Sequence, residues 1–415
     1  MDDVLLARSQ MAMSLAFHIV FAAVGIAMPL LMVLAEVRWL QTRDPEYLEL
    51  AKRWSKGAAV LFAVGAVSGT VLSFELGLLF PGFMRHAGPL ISMPFSLEGF
   101  AFFTEAIFLG LYLYGWKRLP ERVHVGAGAV VAVSGAASAL FVTIANAWMN
   151  APRGFRVVDG QFVDVRPLEA MRTPFAPHEI VHGMLAAYLA TGIAVAAVHA
   201  VLLLRNPQSG FHRKAVGLAL LLSVPAALAQ PITGDWAGRE VARRQPAKLA
   251  AMEQLAHTQP RAPVRIGPIE LPAALSLLAY HDPDAVVAGL DAFPPRDRPP
   301  RLVKPLFQLM VACGTLLAAH ALWAVWLRAR RRPWPRRFLW LTAFAGPLGF
   351  AALEAGWGVT ELGRQPWIVY GVLRTADTVT PMRGLIVPFT TFTLVYLGLS
   401  AAVAVLLRDQ FREAA

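Results

Sequence analysis

Six histidine, methionine and carboxylate side chains recur where apolar runs begin or end. They are His18, Glu98, Glu105, His182, Met310 and Glu361. His and Met are among the donors that hold iron in hemes, and carboxylates beside a redox centre take up and deliver protons. Glu361 stands at the end of the stretch Glu354-Ala355-Gly356-Trp357-Gly358-Val359-Thr360-Glu361-Leu362-Gly363-Arg364-Gln365-Pro366-Trp367, where an apolar run gives way to a polar turn. A charged side chain in hydrocarbon costs about 3 kcal/mol or more, so such a group normally has a function. Glu98 and Glu105 are seven residues apart and share one helical face.

A second chemistry competes for the same residues. His178-Glu179-Ile180-Val181-His182 matches H-E-x-x-H, in which two histidines one turn apart bind zinc and the glutamate activates water. An intramembrane zinc metalloprotease therefore stands as the alternative. It needs a third ligand from a later span. Asp377 lies in a loop and Asp409 at the inner end, so no later span supplies an aspartate. A transporter with buried carboxylates is a third class, but it would tend to show inverted repeats, and none is visible. His199 and His320, each alone in an apolar run, read as packing residues hydrogen-bonded to a carbonyl. Met310 alone would read as core filler.

The elements that position these groups follow from composition. Of the 415 residues, 56% are hydrophobic and 16% charged, against about 25% charged in a soluble domain. The chain reads as an all-α polytopic membrane protein. A span needs about 20 mostly apolar residues. Nine such runs occur, at about 12–36, 54–79, 92–116, 123–149, 177–204, 214–231, 303–327, 337–358 and 385–407. The sixth is short and contains Pro225 and Pro231. The first is long enough to act as its own anchor, with no cleavable leader evident. The single cysteine, Cys313, excludes an internal disulfide, a cysteine metal site and covalent heme attachment.

The net charge of +11 comes from arginine-rich connections rather than from a nucleic-acid surface. Basic residues follow runs one, three, five and seven: Arg38, Arg43, Lys52, Arg53 and Lys56; Lys117, Arg118 and Arg122; Arg205, Arg213 and Lys214; and the arginines between 328 and 337. Short basic connections stay in the cytoplasm. The N-terminus is then outside and the C-terminus inside. Residues 1–231 carry spans 1–6, residues 232–302 form an outer loop, and residues 303–415 carry spans 7–9. The loop's start is polar enough to be partly helical, and its end is punctuated by prolines. In this orientation every candidate donor falls in the outer half of the bundle.

An ordered series of motifs carries a resemblance. It comprises Arg8-Ser9-Gln10 with His18 beyond it, Leu97-Glu98-Gly99-Phe100 through Glu105, Gly115-Trp116, and Ala145-Asn146-Ala147-Trp148-Met149. Then come Val181-His182-Gly183, Lys248-Leu249-Ala250-Ala251-Met252-Glu253, Met310-Val311-Ala312-Cys313-Gly314 and the stretch from Glu354 to Trp367. Over nearly its whole length the chain resembles subunit I of the cytochrome bd-type quinol oxidases.

That resemblance implies a heme-binding bundle in a bacterial cytoplasmic (inner) membrane. It implies His182 and Met310 as axial ligands of a low-spin heme b. His18 and Glu361 would serve a high-spin heme b and a third heme, either heme d or a further heme b. Glu98 matches the carboxylate beside the oxygen-reactive centre. Glu105 and Asn146 match residues near the proton path, and Lys248 and Glu253 match residues of the quinol-binding loop. Arg8, Arg364 and Trp357 fit propionate pairing or heme packing. The implied partners are subunit II, with room for a small single-span subunit, ubiquinol or menaquinol, O2 and the lipid bilayer. The implied reaction oxidises quinol outside and reduces O2 to water with protons from inside, generating proton motive force without pumping. Three departures stand out: Gln308 where many members have Arg, Ser73 and Glu75 where some have Glu and Gln, and a short outer loop. They lean toward the cyanide-insensitive branch.

Overall fold

The computed structural model describes residues 3–267 and 269–412, with the side chains of 409–412 (including Asp409) outside the described set. Twelve α-helices run in order: α1 Asp3–Thr42, α2 Pro45–Leu79, α3 Pro81–Gly115, α4 Glu121–Asn150, α5 Pro167–Met171, α6 Ala176–Arg205, α7 Gly210–Arg244, α8 Pro246–Glu253, α9 Ala274–Tyr280, α10 Val303–Ala329, α11 Arg336–Gly363 and α12 Ile386–Arg412. Nine of them, all but α5, α8 and α9, are long and apolar enough to cross a membrane. The chain is an all-α, multi-pass membrane protein.

Local chemistry explains where the helices start. Asp44 caps α2 by accepting from Glu46 N at 3.0 Å, with Pro45 in the first turn. Ser209 caps α7 by accepting from His212 N. These residues satisfy donors that the first helical turn leaves unpaired. The sixth span differs from its sequence outline. α7 continues unbroken past Pro225 and Pro231 to Arg244, so the polar start of the 232–302 loop, expected to be partly helical, is helix over 232–244 and prolongs the sixth span. A proline removes one N–H, and neighbouring helices in a bundle accommodate the freed carbonyl. Gly234, Asp235 and Trp236 lie on this extension.

The short connections with basic residues gather at one end of the bundle, called here the basic end. Arg43 pairs with Glu121 at 2.9 Å across two of them. Lys214 pairs with Asp44 and, at 2.5 Å, with Glu46. The longer connections gather at the opposite, loop end. Four two-stranded antiparallel ladders lie there: β1 Arg156–Val158 with β2 Gln161–Val163, β3 Gln259–Pro260 with β6 Val286–Val287, β4 Val264–Ile266 with β5 Ile269–Leu271, and β7 Trp367–Val369 with β8 Leu373–Arg374.

α6 lies at the centre, with 61% of its most apolar window buried, and α12 lies at the edge, with 6%. One core joins α6, α7, α10 and α11 through Ile193, Ala196, Ala200, Val216, Leu317 and Phe338. Small residues set the α6–α11 distance. A Cβ at Gly346 would stand 2.6 Å from Ala197 Cβ, and one at Gly349 would stand 2.6 Å from Ala190 Cα. Lipid tails are as apolar as leucine, so close packing of this kind drives helix association in a membrane. Gly349→Val should force the two helices apart and cost about 1–3 kcal/mol. The check is the thermal unfolding midpoint of the detergent-solubilised protein, which should fall. An unchanged midpoint would mean that the α6–α11 contact yields without loss.

Candidate functional site

The donors sit on five helices. His18 on α1 approaches Ser68 on α2, with His18 Nδ1 3.0 Å from Ser68 Oγ. The Ser68 hydroxyl spends its hydrogen on Val64 O at 2.9 Å, so it accepts from His18 Nδ1–H. That fixes the tautomer and leaves the Nε2 lone pair of His18 available. The same device recurs on α6. His182 Nδ1 lies 2.9 Å from Thr233 Oγ1, and the Thr233 hydroxyl donates to Gln230 O at 3.2 Å. His182 Nε2 makes no hydrogen bond among the described residues. Orienting a histidine through its other ring nitrogen is how proteins prepare it to hold a metal.

Glycines stand beside three donors. A Cβ at Gly69 would lie 3.0 Å from the His18 ring, one at Gly234 would lie 3.5 Å from the His182 ring, and one at Gly356 would lie 3.1 Å from Met310 Sδ. Each leaves room next to a donor that a larger side chain would take up. No hydrogen bond joins His182 to Met310 among the described residues, and they stand on different helix pairs, α6–α7 and α10–α11. Trp357 on α11 packs against Ile19 of α1 and Ala187 and Ala190 of α6, bridging the helices that carry the two histidines.

Glu361 has the densest polar surroundings. Its Oε1 accepts from Asn146 Nδ2 at 2.5 Å and its Oε2 from Arg364 Nη2 at 2.6 Å. Arg364 is only 2% exposed, and its Nε and Nη1 have no partner. A buried guanidinium with two donors left over is suited to a further carboxylate, such as a heme propionate. Arg8 on α1 is half-buried. Asn146, expected near a proton path, bonds to Glu361 rather than to Glu98 or Glu105.

Glu98 and Glu105 form a separate pair on α3. Ser138 Oγ on α4 donates to Glu98 Oε1 at 3.1 Å. The Glu105 carboxylate fits against Gly135 of α4, where a Cβ would lie 3.1 Å from Oε1, and near Gly25 of α1. Glu75 on α2, one of the departures, is 2% exposed and accepts from Gln10 Nε2 at 2.8 Å.

At the loop end, Lys248 on α8 is 2% exposed. Its stem lies against Gly363, and its ammonium donates to Thr360 O at 3.3 Å. Burial pulls the Lys248 ammonium below the usual lysine range. Glu253, at the end of the same helix, has its backbone carbonyl bonded to Lys304 Nζ at 2.9 Å. Burial pushes its carboxyl above the usual range, and Lys304 opposes the rise. Lys248 thus lies buried against the end of α11, and Glu253 is half-buried. Gln308, where many members have Arg, donates to Arg265 O of β4 at 3.4 Å.

The zinc reading fails on this geometry. Both ring nitrogens of His178 are buried without a partner, and its ring packs edge-on against Phe175 and Trp236. Among the described residues no three His, Cys, Asp or Glu side chains converge on a metal position. His199 and His320 are packing residues, but their partners are side chains rather than carbonyls. His199 accepts from Trp54 Nε1 at 3.2 Å and meets His212 at 3.0 Å, and His320 bonds Thr342 at 2.9 Å. Sequence reasoning passed over a buried set at the basic end. His124 Nδ1 lies 2.7 Å from Glu36 Oε1, with the ring tilted against those of Tyr112 and Trp116. A glutamate near the end of the first apolar run was its only signal.

Comparison with known proteins gives the family. The family model described as "Cytochrome bd terminal oxidase subunit I" matches residues 6–415. A putative cytochrome bd menaquinol oxidase subunit I of Bacillus subtilis is 37% identical over 431 residues, covering 100% of this chain and 97% of that protein. A cytochrome bd ubiquinol oxidase subunit 1 of the same organism is 29% identical over 454 residues, covering 100% of this chain and 95% of the other. The solved bd oxidase from Geobacillus thermodenitrificans superposes with a TM-score of 0.94 at 37% identity, covering 100% of this chain and 99% of that one. With the motif series, the nine-span fold and the family match all running the length of the chain, this protein belongs to the cytochrome bd terminal oxidase subunit I family.

Proposed function

We propose that this chain is the heme-bearing subunit of a quinol:O2 oxidoreductase in a bacterial cytoplasmic membrane. The observation that carries the reading is the donor set. Two histidines each held through Nδ1 and a methionine, all three with a glycine beside them, and a carboxylate held by an amide and a guanidinium occupy one half of the bundle. His182 and Met310 would hold a low-spin heme b. His18 and Glu361 would hold a high-spin heme b and a third heme, either d or a further b. Arg364, with two unpaired donors, would take a propionate, with Arg8 as a second candidate and Trp357 as packing. When bound, the hemes supply one-electron transfer and the centre at which oxygen is reduced.

The rest of the reaction falls to side chains. Residues 232–302 would receive ubiquinol or menaquinol on the outer face. Glu253, with its raised carboxyl pKa, is suited to accept a hydroxyl proton and pass it to the outer solution. Lys248 would hold the inner end of the site by tying α8 to the end of α11. Glu98 and Glu105 would hold protons arriving from the cytoplasm, with Ser138 orienting Glu98. Quinol protons leave outside and the protons of water enter from inside, so turnover moves charge without a pump. The reading includes a second membrane subunit. The exposed apolar faces of α2 and α3, including Phe74, Phe100, Phe103 and Ile107, would meet that subunit or lipid.

The direct test is a dithionite-reduced minus oxidised spectrum of the purified complex with heme extraction on the same sample. Heme b bands with a far-red band identify the third heme as d, heme b bands alone identify it as b, and absence of heme sinks the proposal. His182→Ala and Met310→Leu should each abolish the low-spin heme b signal and quinol oxidation. A normal low-spin spectrum in either variant would remove that ligand assignment. A general base works only above its own pKa, and the Glu253 carboxyl is raised. Quinol turnover should therefore fall as pH drops through that value. Glu253→Gln should flatten this acid limb of kcat/KM and leave the heme spectrum intact; an unchanged limb would rule out Glu253 as the base.

A further inference from the structure

Glu361 is the inner end of a chain of side-chain amides. Asn146 Nδ2 donates to Glu361 Oε1 at 2.5 Å. Asn150 Nδ2, one turn on, donates to Asn146 Oδ1 at 2.9 Å and to Asn146 O at 3.1 Å. Gln245 Nε2 donates to Asn150 Oδ1 at 3.0 Å and to Asn150 O at 2.9 Å. Asn150 and Gln245 are fully buried. Gln245 is the junction of α7 and α8, and its carbonyl accepts from Lys248 N at 2.9 Å.

The polarity of the chain follows from its end. A carboxylate only accepts, so Asn146 must present its NH2 group to Glu361. Its oxygen then faces Asn150, which must donate, and the oxygen of Asn150 in turn faces Gln245, which must also donate. All three amides therefore point their N–H ends toward Glu361. Capping the end of α4 needs only the bond from Gln245 to Asn150 O. The second bond, to Asn150 Oδ1, is what orders the amide behind it. On its outer side Asn150 borders a cavity of about 600 Å³ shared with Arg153, Arg244 and Tyr370, so the chain runs from that cavity to the half-buried Glu361 carboxylate.

We infer that Gln245, Asn150 and Asn146 are positioning residues through which the outer loop sets the orientation and donor strength of Glu361. The inference rests on Glu361 being a heme ligand. Hydrogen-bonded partners of a ligand tune the metal it holds. Fewer or reversed donors leave the carboxylate a stronger electron donor, which favours the oxidised iron.

The test uses the assembled two-subunit oxidase and an optical redox titration. Glu361→Ala first identifies the bands that depend on this carboxylate. Asn150→Asp and Gln245→Glu keep side-chain volume and remove the donating NH2 group. Each should shift the midpoint of the Glu361-dependent heme to lower potential, with full heme content and the low-spin midpoint unchanged. If Asn150→Asp does not assemble, Gln245→Glu on the loop side reads the same quantity. Unchanged potentials with full heme content would overturn the inference. So would an equal shift of every heme, which would mean a through-space charge effect. Retention of all heme bands in Glu361→Ala would overturn the ligand reading and this inference together, whereas loss there with no shift in the amide variants overturns this inference alone.

Discussion

The pair of Arg364 and Glu361 is the constraint around which the loop end is arranged. Both groups come where α11 runs out, and Arg364 is almost wholly buried. Breaking a buried pair by removing one partner typically costs about 3–5 kcal/mol, because the other charge is left uncompensated. The surroundings answer that cost from several directions. Asn146 of α4 takes one carboxylate oxygen, and Arg364 takes the other. Lys248 of α8 lies on Gly363, next in sequence to Arg364. Two guanidinium donors still remain over, so the protein side chains alone leave the site short of negative charge or of acceptors.

Polar groups elsewhere in the bundle follow the same logic with different partners. His18 and His182 are each held through one ring nitrogen by a hydroxyl whose own hydrogen is spent on a helix carbonyl. The hydroxyl can then only accept, and the ring is left with one outcome. His124 has both nitrogens engaged, by Glu36 and by Tyr112 O. A histidine with no free lone pair cannot hold a metal, and His124 sits at the basic end, away from the donors.

Much of this was legible in the sequence because a membrane makes the pattern simple. Long apolar runs must be helices, since every backbone group has to be satisfied within the segment. The nine runs and the positions of His18, Met310 and Glu361 on them could thus be read directly. The extent of α7 could not, because two prolines and a run of charged residues look locally like a span ending in a loop. Nor could the bond between Gln245 and Asn150, which joins residues 95 apart in the chain. A polar residue at a helix end is ordinary, and only tertiary packing distinguishes one that caps from one that relays. His178 and Glu179 were misleading for the converse reason, matching a zinc pattern in spacing while lacking a third ligand in space.

The long loop that follows α7 divides into a fixed part and a lightly held part. α8 is anchored at its start: Gln245, just before it, binds the end of α4, and Lys248, in its first turn, wedges against the end of α11. Rotating α8 would break buried hydrogen bonds and strand an ammonium in a dry site, and each unsatisfied group costs about 1–3 kcal/mol or more. The hairpin of β4 and β5 is held differently. Ile266 and Ile269 are exposed, and its ion pair, Arg265 with Glu270 at 3.0 Å, lies at the surface. An exposed pair of this kind contributes about 0–1 kcal/mol. Change in the loop is therefore tolerated at the hairpin and resisted at α8. Gln245 and Lys248 therefore couple the start of α8 to the ends of α4 and α11, alongside the bond from Gln308 of α10 to Arg265 O of the hairpin.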